Sequence, residues 1–221
     1  VVEHAGDNGI LVAGNDNIVE RTVTRFNRDT GLQLSRWVAG APEDQWPSGN
    51  LIVSAESHDN ADSDGEDADG FAPKLTVGPG NVFRHTVSHN SIDDGYDLYT
   101  KSDTGPIGAV TIENSLAYDN GKHGFTYNRN TGSMTVSENV SIGNAEGNFN
   151  FDGGSSAFRD NVSCDSGDDD RITGDADGSN QFWSEETGNG SRCSSYTGAL
   201  DWSFAEDGSL VVTFGGNRVT E

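Results

Sequence analysis

A glycine followed by a short apolar strand recurs along this chain, and that recurrence limits the fold more than any other feature. It reads Gly9-Ile10-Leu11-Val12, Gly31-Leu32-Gln33-Leu34, Gly70-Phe71-Ala72-Pro73-Lys74-Leu75, Gly95-Tyr96-Asp97-Leu98, Gly124-Phe125-Thr126-Tyr127 and Gly147-Asn148-Phe149-Asn150-Phe151, at spacings of 22, 39, 25, 29 and 23 residues. A second strand follows in each unit, as in Leu51-Ile52-Val53 or Val110-Thr111-Ile112, and a third, as in Thr86-Val87-Ser88-His89-Asn90. The strands are short, alternating and bounded by turn residues, and no segment of useful length has helical periodicity. A unit this small cannot bury its own apolar face, so neighbours must stack.

An asparagine closes the third strand once per unit, at Asn27, Asn60, Asn90, Asn120 and Asn144. Asparagine tolerates a left-handed turn, and copies stacked at the strand spacing can bond one another's amides. The expected fold is therefore all-β, a right-handed parallel β-helix with three short strands per coil and an internal Asn ladder. Coils are expected over residues 1–168, with a metal-binding centre at 69–97 and an inserted loop at 36–68 that accounts for the longest spacing. Residues 169–221, with Trp183, Trp202 and the run Leu210 to Phe214, read as a last coil and C-terminal cap. Val1 to Gly6 read as the end of a preceding coil, and the start, without methionine or apolar leader, as a mature or trimmed chain.

Thirteen Lys and Arg stand against 36 Asp and Glu, a net charge of −23. Nucleic acid and anionic membrane surfaces are excluded as partners, because both need a basic face. No apolar run approaches the ~18 residues of a membrane helix. A monomer is expected, and the acidity suits a salt-loving source, where screening relieves self-repulsion. Cys164 and Cys193 are the two cysteines; they could form one disulfide in an exported protein or be two buried thiols.

Residues at equal offset from the repeat glycine become neighbours about 4.8 Å apart once coils stack. The position before the glycine is Asn8, Thr30, Asp69, Asp94, His123 and Glu146. Asp93 adjoins Asp94, and Asp97 lies two past Gly95 on the outward side. Asp69, Asp93, Asp94 and Asp97 thus converge across two coils, and would repel one another unless a cation neutralised them. An all-oxygen set favours Ca²⁺. The acidic stretch Asp59 to Asp67 offers Asp62, Asp64 and Glu66 for a second cation, but without the spacing of an EF-hand it reads as a solvated loop.

Asp67-Ala68-Asp69-Gly70-Phe71-Ala72-Pro73-Lys74-Leu75, Gly80-Asn81-Val82-Phe83-Arg84 and Asp93-Asp94-Gly95-Tyr96-Asp97-Leu98-Tyr99 resemble the motifs of polysaccharide lyase family 9, the pectate and exopolygalacturonate lyases. Asp7-Asn8-Gly9-Ile10, Asp29-Thr30-Gly31-Leu32-Gln33-Leu34 and Gly105-Pro106-Ile107-Gly108 add to the resemblance, which covers roughly residues 1–168. It implies a right-handed β-helix, Ca²⁺ held by Asp69, Asp93, Asp94 and Asp97, secretion, and β-elimination on polygalacturonate. In that chemistry the metal draws charge from the uronate carboxylate, a base removes the C5 proton, and the C4 oxygen leaves.

The family's base is a lysine in a Gly-Phe-Lys-Leu-Gly stretch, and here Gly124-Phe125-Thr126-Tyr127-Asn128 puts Thr126 in its place. Only Lys74, Lys101 and Lys122 could substitute. Lys122 lies in the column of Asp93 and is the candidate catalytic base, although a surface salt bridge with Asp93 or Asp119 explains it equally well. Candidate substrate-binding residues are Arg129, by bidentate pairing with a carboxylate, His123, with a pKa near neutral, and Lys74, read as outward. The expected activity is a calcium-dependent polyuronate lyase acting on an acidic polysaccharide outside the cell. The alternative is a non-catalytic calcium-binding β-helix that binds polysaccharide or is structural, having lost the family's lysine.

Overall fold

The computed structural model of the chain describes residues 1–129, 132–186, 193 and 196–219. Its strands fall into three parallel columns. The first holds Ile10–Val12, Leu32–Leu34, Phe71–Pro73, Tyr96–Asp97, Phe125–Thr126 and the front half of Phe149–Arg159. The second holds Ile18–Glu20, Leu51–Val53, Asn81–Arg84, Val110–Glu113, Thr135–Ser137 and the back half of that same long strand. The third runs Val2–Glu3, Val23–Arg25, Glu56–His58, Val87–His89, Leu116–Tyr118, Val140–Ile142 and Val162–Cys164. This is the expected parallel β-helix, three short strands to a coil.

The repeat glycine is needed for close approach. Gly31, Gly70 and Gly124 sit against the inward side chains of Ser57, Ser88 and Ser141 from the third column, and a Cβ would collide with each hydroxyl. The apolar residue after the glycine points inward. Leu32, Phe71, Tyr96, Phe125 and Phe149 form one register column, with ring centroids 5.2 Å apart for Phe71 and Tyr96, 4.5 Å for Tyr96 and Phe125 and 5.1 Å for Phe125 and Phe149. Tyr96 can be wholly buried because its hydroxyl meets Thr86 Oγ1 at 2.7 Å, which spares the core an unpaired polar atom.

The asparagine ladder is present with one correction. Asn27 donates both its backbone N–H and Nδ2 to Asn60 Oδ1, and Asn120 does the same to Asn144 Oδ1. The intervening rung is Ser91, whose N–H bonds Asn120 Oδ1, and not Asn90. Each third-column strand is followed by a residue with φ between 48° and 65°, namely His4, Phe26, Asp59, Asn90, Asp119, Gly143 and Asp165; Asn90 takes that left-handed position and points to solvent. Two further ladders lie at the other corners, Asn17–Asn50–Asn81 and Asn139–Asn161–Asn180.

The length expected as one inserted loop at 36–68 is divided. Strands Leu51–Val53 and Glu56–His58 lie inside it as ordinary rungs, so the extra residues form two loops, 35–50 and 59–70. The C-terminal residues also differ from the expectation. Arg171–Ala176 continues the stack beside Phe149–Arg159, but Leu200–Phe204, Leu210–Phe214 and Asn217–Arg218 form an antiparallel sheet that packs on the side of the stack. Leu210, Val212 and Phe214 join Val87, Leu116, Val140 and Val162 in one apolar cluster on the outer face of the third column. Trp202 Nε1 donates to Tyr118 OH, Ser54 Oγ to Gly208 O and Arg21 to Glu206 O. Cys164 and Cys193 are joined as a disulfide, which ties the last third-column strand to the chain leading into this sheet.

Candidate active site

Asp69, Asp93, Asp94 and Asp97 converge where the first column turns outward, on two successive coils. All four are 1–6% exposed. Carboxylate oxygens of Asp69, Asp93 and Asp94 lie within 4.8 Å of one another. Backbone bonds fix two of the side chains: Asp69 Oδ1 accepts from Asp94 N–H and Asp94 Oδ1 from His123 N–H. Thr30 Oγ1 donates to Asp69 Oδ2.

Two cations partly compensate the cluster. Lys74 Nζ lies 2.9 Å from Asp69 Oδ2 and 3.7 Å from Asp97 Oδ2. Lys74 is therefore buried within the carboxylate group and does not face outward toward a substrate as expected; the left-handed Leu75 that follows it, at φ 71°, turns the chain there. Lys122 Nζ lies 2.9 Å from Asp93 Oδ1. Four carboxylates against two ammoniums leave negative charge in excess, and Asp97 Oδ1 is buried with no hydrogen bond. The electrostatics follow. Burial and then the charge of Asp69 push Asp93 up to about 7 and hold Asp94 and Asp97 well above the carboxylate range. A hard divalent cation answers both the charge and the unbonded oxygen, and these oxygen donors suit it.

This arrangement makes the metal-free protein pH-sensitive. A carboxylate whose folded pKa is raised binds protons in the native state that the unfolded chain has released, so stability falls as pH rises between the two values. For Asp93 that window runs from 3.8 to about 7, and Asp170, raised to about 6 by burial, adds to it. Thermal unfolding in chelator is expected to give a higher Tm at pH 5 than at pH 8, with saturating Ca²⁺ reversing the order. Equal Tm at both values in chelator would show that these carboxylates do not titrate in that window.

Three of the aspartates, Asp93, Asp94 and Asp97, line an open cleft of about 650 Å³ that runs along the outer face of the first column past Thr126, Asn128, Asn150, Lys101 and Arg129. Register places Thr126 directly beside Asp97 and Asn150 beside Thr126. Thr126 Oγ1 accepts from Asn150 Nδ2, so the position holds a neutral hydrogen bond and no base. Lys122, Arg129 and His123, expected at the site, all line the cleft, as does Lys101, whose place the repeat does not mark because it sits on a loop outside it. Burial acts to lower the Lys122 pKa, but hydrogen bonding to Asp93 and the surrounding carboxylate charges together outweigh it and raise it, so in this arrangement the amine is protonated. His123 meets Gly147 O through Nδ1, at 3.2 Å, and Asn150 Nδ2 and Glu146 Oε2 through Nε2; burial lowers its pKa.

One column assignment is corrected here. Gly147, not Glu146, follows His123 in the column of Asp69 and Asp94, because Phe149 pairs with Phe125 and so Asn148 takes the repeat-glycine position. Glu146 falls in the column of Asp93 and Lys122, where its N–H bonds Lys122 O. The acidic loop at 59–67 behaves as a solvated turn: Asp62 accepts from the N–H groups of Asp64 and Gly65.

Residues 1–123 match the family model described as "Pel9A-like, right handed beta helix region". The chain belongs to polysaccharide lyase family 9. Pectate lyase L of Paenibacillus polymyxa (strain SC2) is 45% identical over 222 residues, spanning 82% of this chain and 49% of that protein. The pectate disaccharide-lyase of Dickeya chrysanthemi is 36% identical over 208 residues, 77% of this chain and 28% of that protein. The crystal structure of pectate lyase Pel9A superposes with a TM-score of 0.68 at 27% identity, over 81% of this chain and 46% of that one. This family 9 chain thus spans about half or less of the length of these relatives, and the match covers the coils that carry the aspartates.

Proposed function

We propose that the protein is a calcium-dependent polysaccharide lyase that cleaves polygalacturonate or a related polyuronate by β-elimination. The observation that carries the reading is the buried set Asp69, Asp93, Asp94 and Asp97, with an unbonded Asp97 oxygen, beside an open cleft whose walls bear Lys101, Lys122 and Arg129. Bound at the aspartates, Ca²⁺ supplies positive charge that acidifies the proton α to a uronate carboxylate.

Arg129, exposed on the cleft wall, pairs with a second uronate carboxylate along the polymer. Lys122 Nζ takes the C5 proton. It does so only when Asp93's charge is spent elsewhere, since the ion pair as it stands keeps the amine protonated. The C4=C5 double bond forms as the C4–O bond breaks, its electron pair leaves with the glycosidic oxygen, which takes a proton from solvent to become the new chain end, and Nζ returns the C5 proton to solvent. No water is consumed, unlike hydrolysis by paired carboxylates. His123 and Asn150 hold each other beside this path and orient the sugar.

An acidic polymer and a chain of −23 repel, so action in a saline medium outside the cell fits both the charge and the disulfide. The chain acts as a monomer in this reading, and among the described residues no helix is long and apolar enough to cross a membrane. One observation favours a second reading: Thr126 stands where the resemblance requires a lysine, as expected of a β-helix that binds calcium and polysaccharide without cleaving it. Ultraviolet absorbance of unsaturated products, with polygalacturonate at high salt and alkaline pH, separates the two. Growth of the signal with Ca²⁺ and its loss with chelator is the expected result. Silence from folded, calcium-loaded protein on a panel of polyuronates would establish the binding reading.

A further inference from the structure

Away from the cleft, on the outer face of the third column, Glu56, His58 and His89 meet across two adjacent coils. Strands Glu56–His58 and Val87–His89 pair in register, so His89 stands directly beside His58 and strand alternation puts Glu56 on the same face two residues earlier. The imidazoles stack with centroids 4.8 Å apart and planes 3° from parallel. Glu56 Oε1 lies 3.1 Å from His89 Nε2 and 3.7 Å from His58 Nε2. One ligand atom from each of the three residues falls within 4.8 Å of the others.

The opposite ring nitrogens are engaged from behind. His58 Nδ1 sits 2.6 Å from Asp59 Oδ2 and His89 Nδ1 2.7 Å from Asn90 Oδ1. A carboxylate accepts and cannot donate while ionised, so Asp59 fixes the proton of neutral His58 on Nδ1 and leaves a lone pair on Nε2, facing the Glu56 carboxylate. Two lone pairs facing across 3.7 Å repel unless a proton or a metal ion lies between them. Acceptors behind the imidazoles are the usual outer shell of a metal-bound histidine, because they set the tautomer and the ring orientation. Neighbouring ligand atoms of a tetrahedral zinc site stand about 3.3 Å apart, given bond lengths near 2.0–2.1 Å; the two distances to Glu56 bracket that value, and the stacked rings would tilt toward each other to aim both Nε2 lone pairs at one ion.

We propose that Glu56, His58 and His89 form a second metal site, for a first-row divalent transition metal of the Zn²⁺ class, chemically separate from the all-oxygen aspartate cluster. Two imidazoles and one carboxylate are a borderline-soft set that Ca²⁺ does not favour. Three protein ligands leave a fourth position open. The metal would cross-link two coils beneath the C-terminal sheet, since His89 also stacks on Tyr118 at 4.7 Å and lies 6.2 Å from Trp202. This placement gives a readout independent of catalysis.

The experiment is equilibrium dialysis of the purified chain against Zn²⁺ with excess Ca²⁺ present to fill the aspartate site, together with Trp202 fluorescence under Ni²⁺ titration. The expected result is one Zn²⁺ per chain, at least a tenfold loss of affinity in each of H58Q, H89Q and E56Q, and saturable Ni²⁺ quenching that disappears in W202F. H123Q, which alters the cleft histidine, is expected to bind as the parent does. No Zn²⁺ bound by the parent chain would overturn the proposal whether or not the variants fold. So would parent-like affinity in H58Q and H89Q, or loss confined to H123Q, which would move the zinc to the cleft.

Discussion

Lys122→Ala is expected to lower turnover on polygalacturonate by roughly 10²- to 10⁴-fold, the range over which a positioned general base contributes, while calcium affinity measured by calorimetry changes little. The structure supplies a sharper companion. Lys122→Arg keeps a permanent cation beside Asp93, so it preserves the ion pair seen at 2.9 Å, but a guanidinium does not give up its proton at working pH. If Lys122 accepts the C5 proton, the arginine variant is as inactive as the alanine variant. If Lys122 serves only to balance Asp93, the arginine variant retains most of its activity. Substantial turnover in Lys122→Ala itself would sink the assignment and direct attention to Lys101, the other lysine on the cleft wall.

The second large effect concerns the core. Phe125 is wholly buried between Tyr96 and Phe149, in a column where each ring's partners lie one coil above and one below. Phe125→Ala is expected to cost about 3–5 kcal/mol, the range for emptying a buried aromatic position, and to lower Tm by roughly 10 °C at the 2–4 °C per kcal/mol typical of this chain length. The neighbouring rings cannot close the gap because hydrogen-bonded strands fix the coil spacing. Differential scanning calorimetry with Ca²⁺ present checks it. A drop of only 1–2 °C would mean that the column relaxes along its axis. Because Thr126 adjoins Asp97 in the next register column, calcium affinity should fall with Phe125→Ala even though no ligand has been touched.

The sequence made the coil plan legible because its two markers answer to backbone geometry. A glycine is needed where a serine of the third column abuts the first, and an asparagine where a ladder bond must cross to the next coil. The same markers misled where a second copy stood nearby. Asn90 precedes Ser91, and Asn90 was the more conspicuous residue, but the left-handed position after each strand takes an Asn or Asp just as readily. Gly147 fits the glycine-then-apolar pattern, although Asn148 holds that register.

The aspartates could be assembled from offsets alone, since their positions depend only on stacking. Lys74 could not, because its burial depends on how the chain turns after Pro73 and offset says nothing of that. The pairing of His58 with His89 is hidden for a different reason: with Asn90 as the corner marker, His89 falls one residue out of register with His58, and only the rung at Ser91 aligns them. The side-mounted C-terminal sheet escaped notice because an apolar run such as Leu210 to Phe214 suits the end of a stack as well as its flank. What decides between them is the outward apolar set Val87, Leu116, Val140 and Val162, which needs a cover.

Among the described residues, Arg171–Ala176 is the last full rung of the first two columns, and it pairs on one side only, with Phe149–Arg159. A parallel stack is a template that any compatible strand can extend, so its open end is the place where copies would polymerise into fibres. This rung offers a poor template. Of its six residues only Ile172 is large and apolar, and it packs toward the core; Arg171 and Asp175 are exposed charges, and Arg159 binds Asp175 and Asp177 across the edge. Gly174, at φ 139°, breaks the regular extended path that a newcomer would have to match. The terminal rung therefore keeps a sticky architecture from growing end to end.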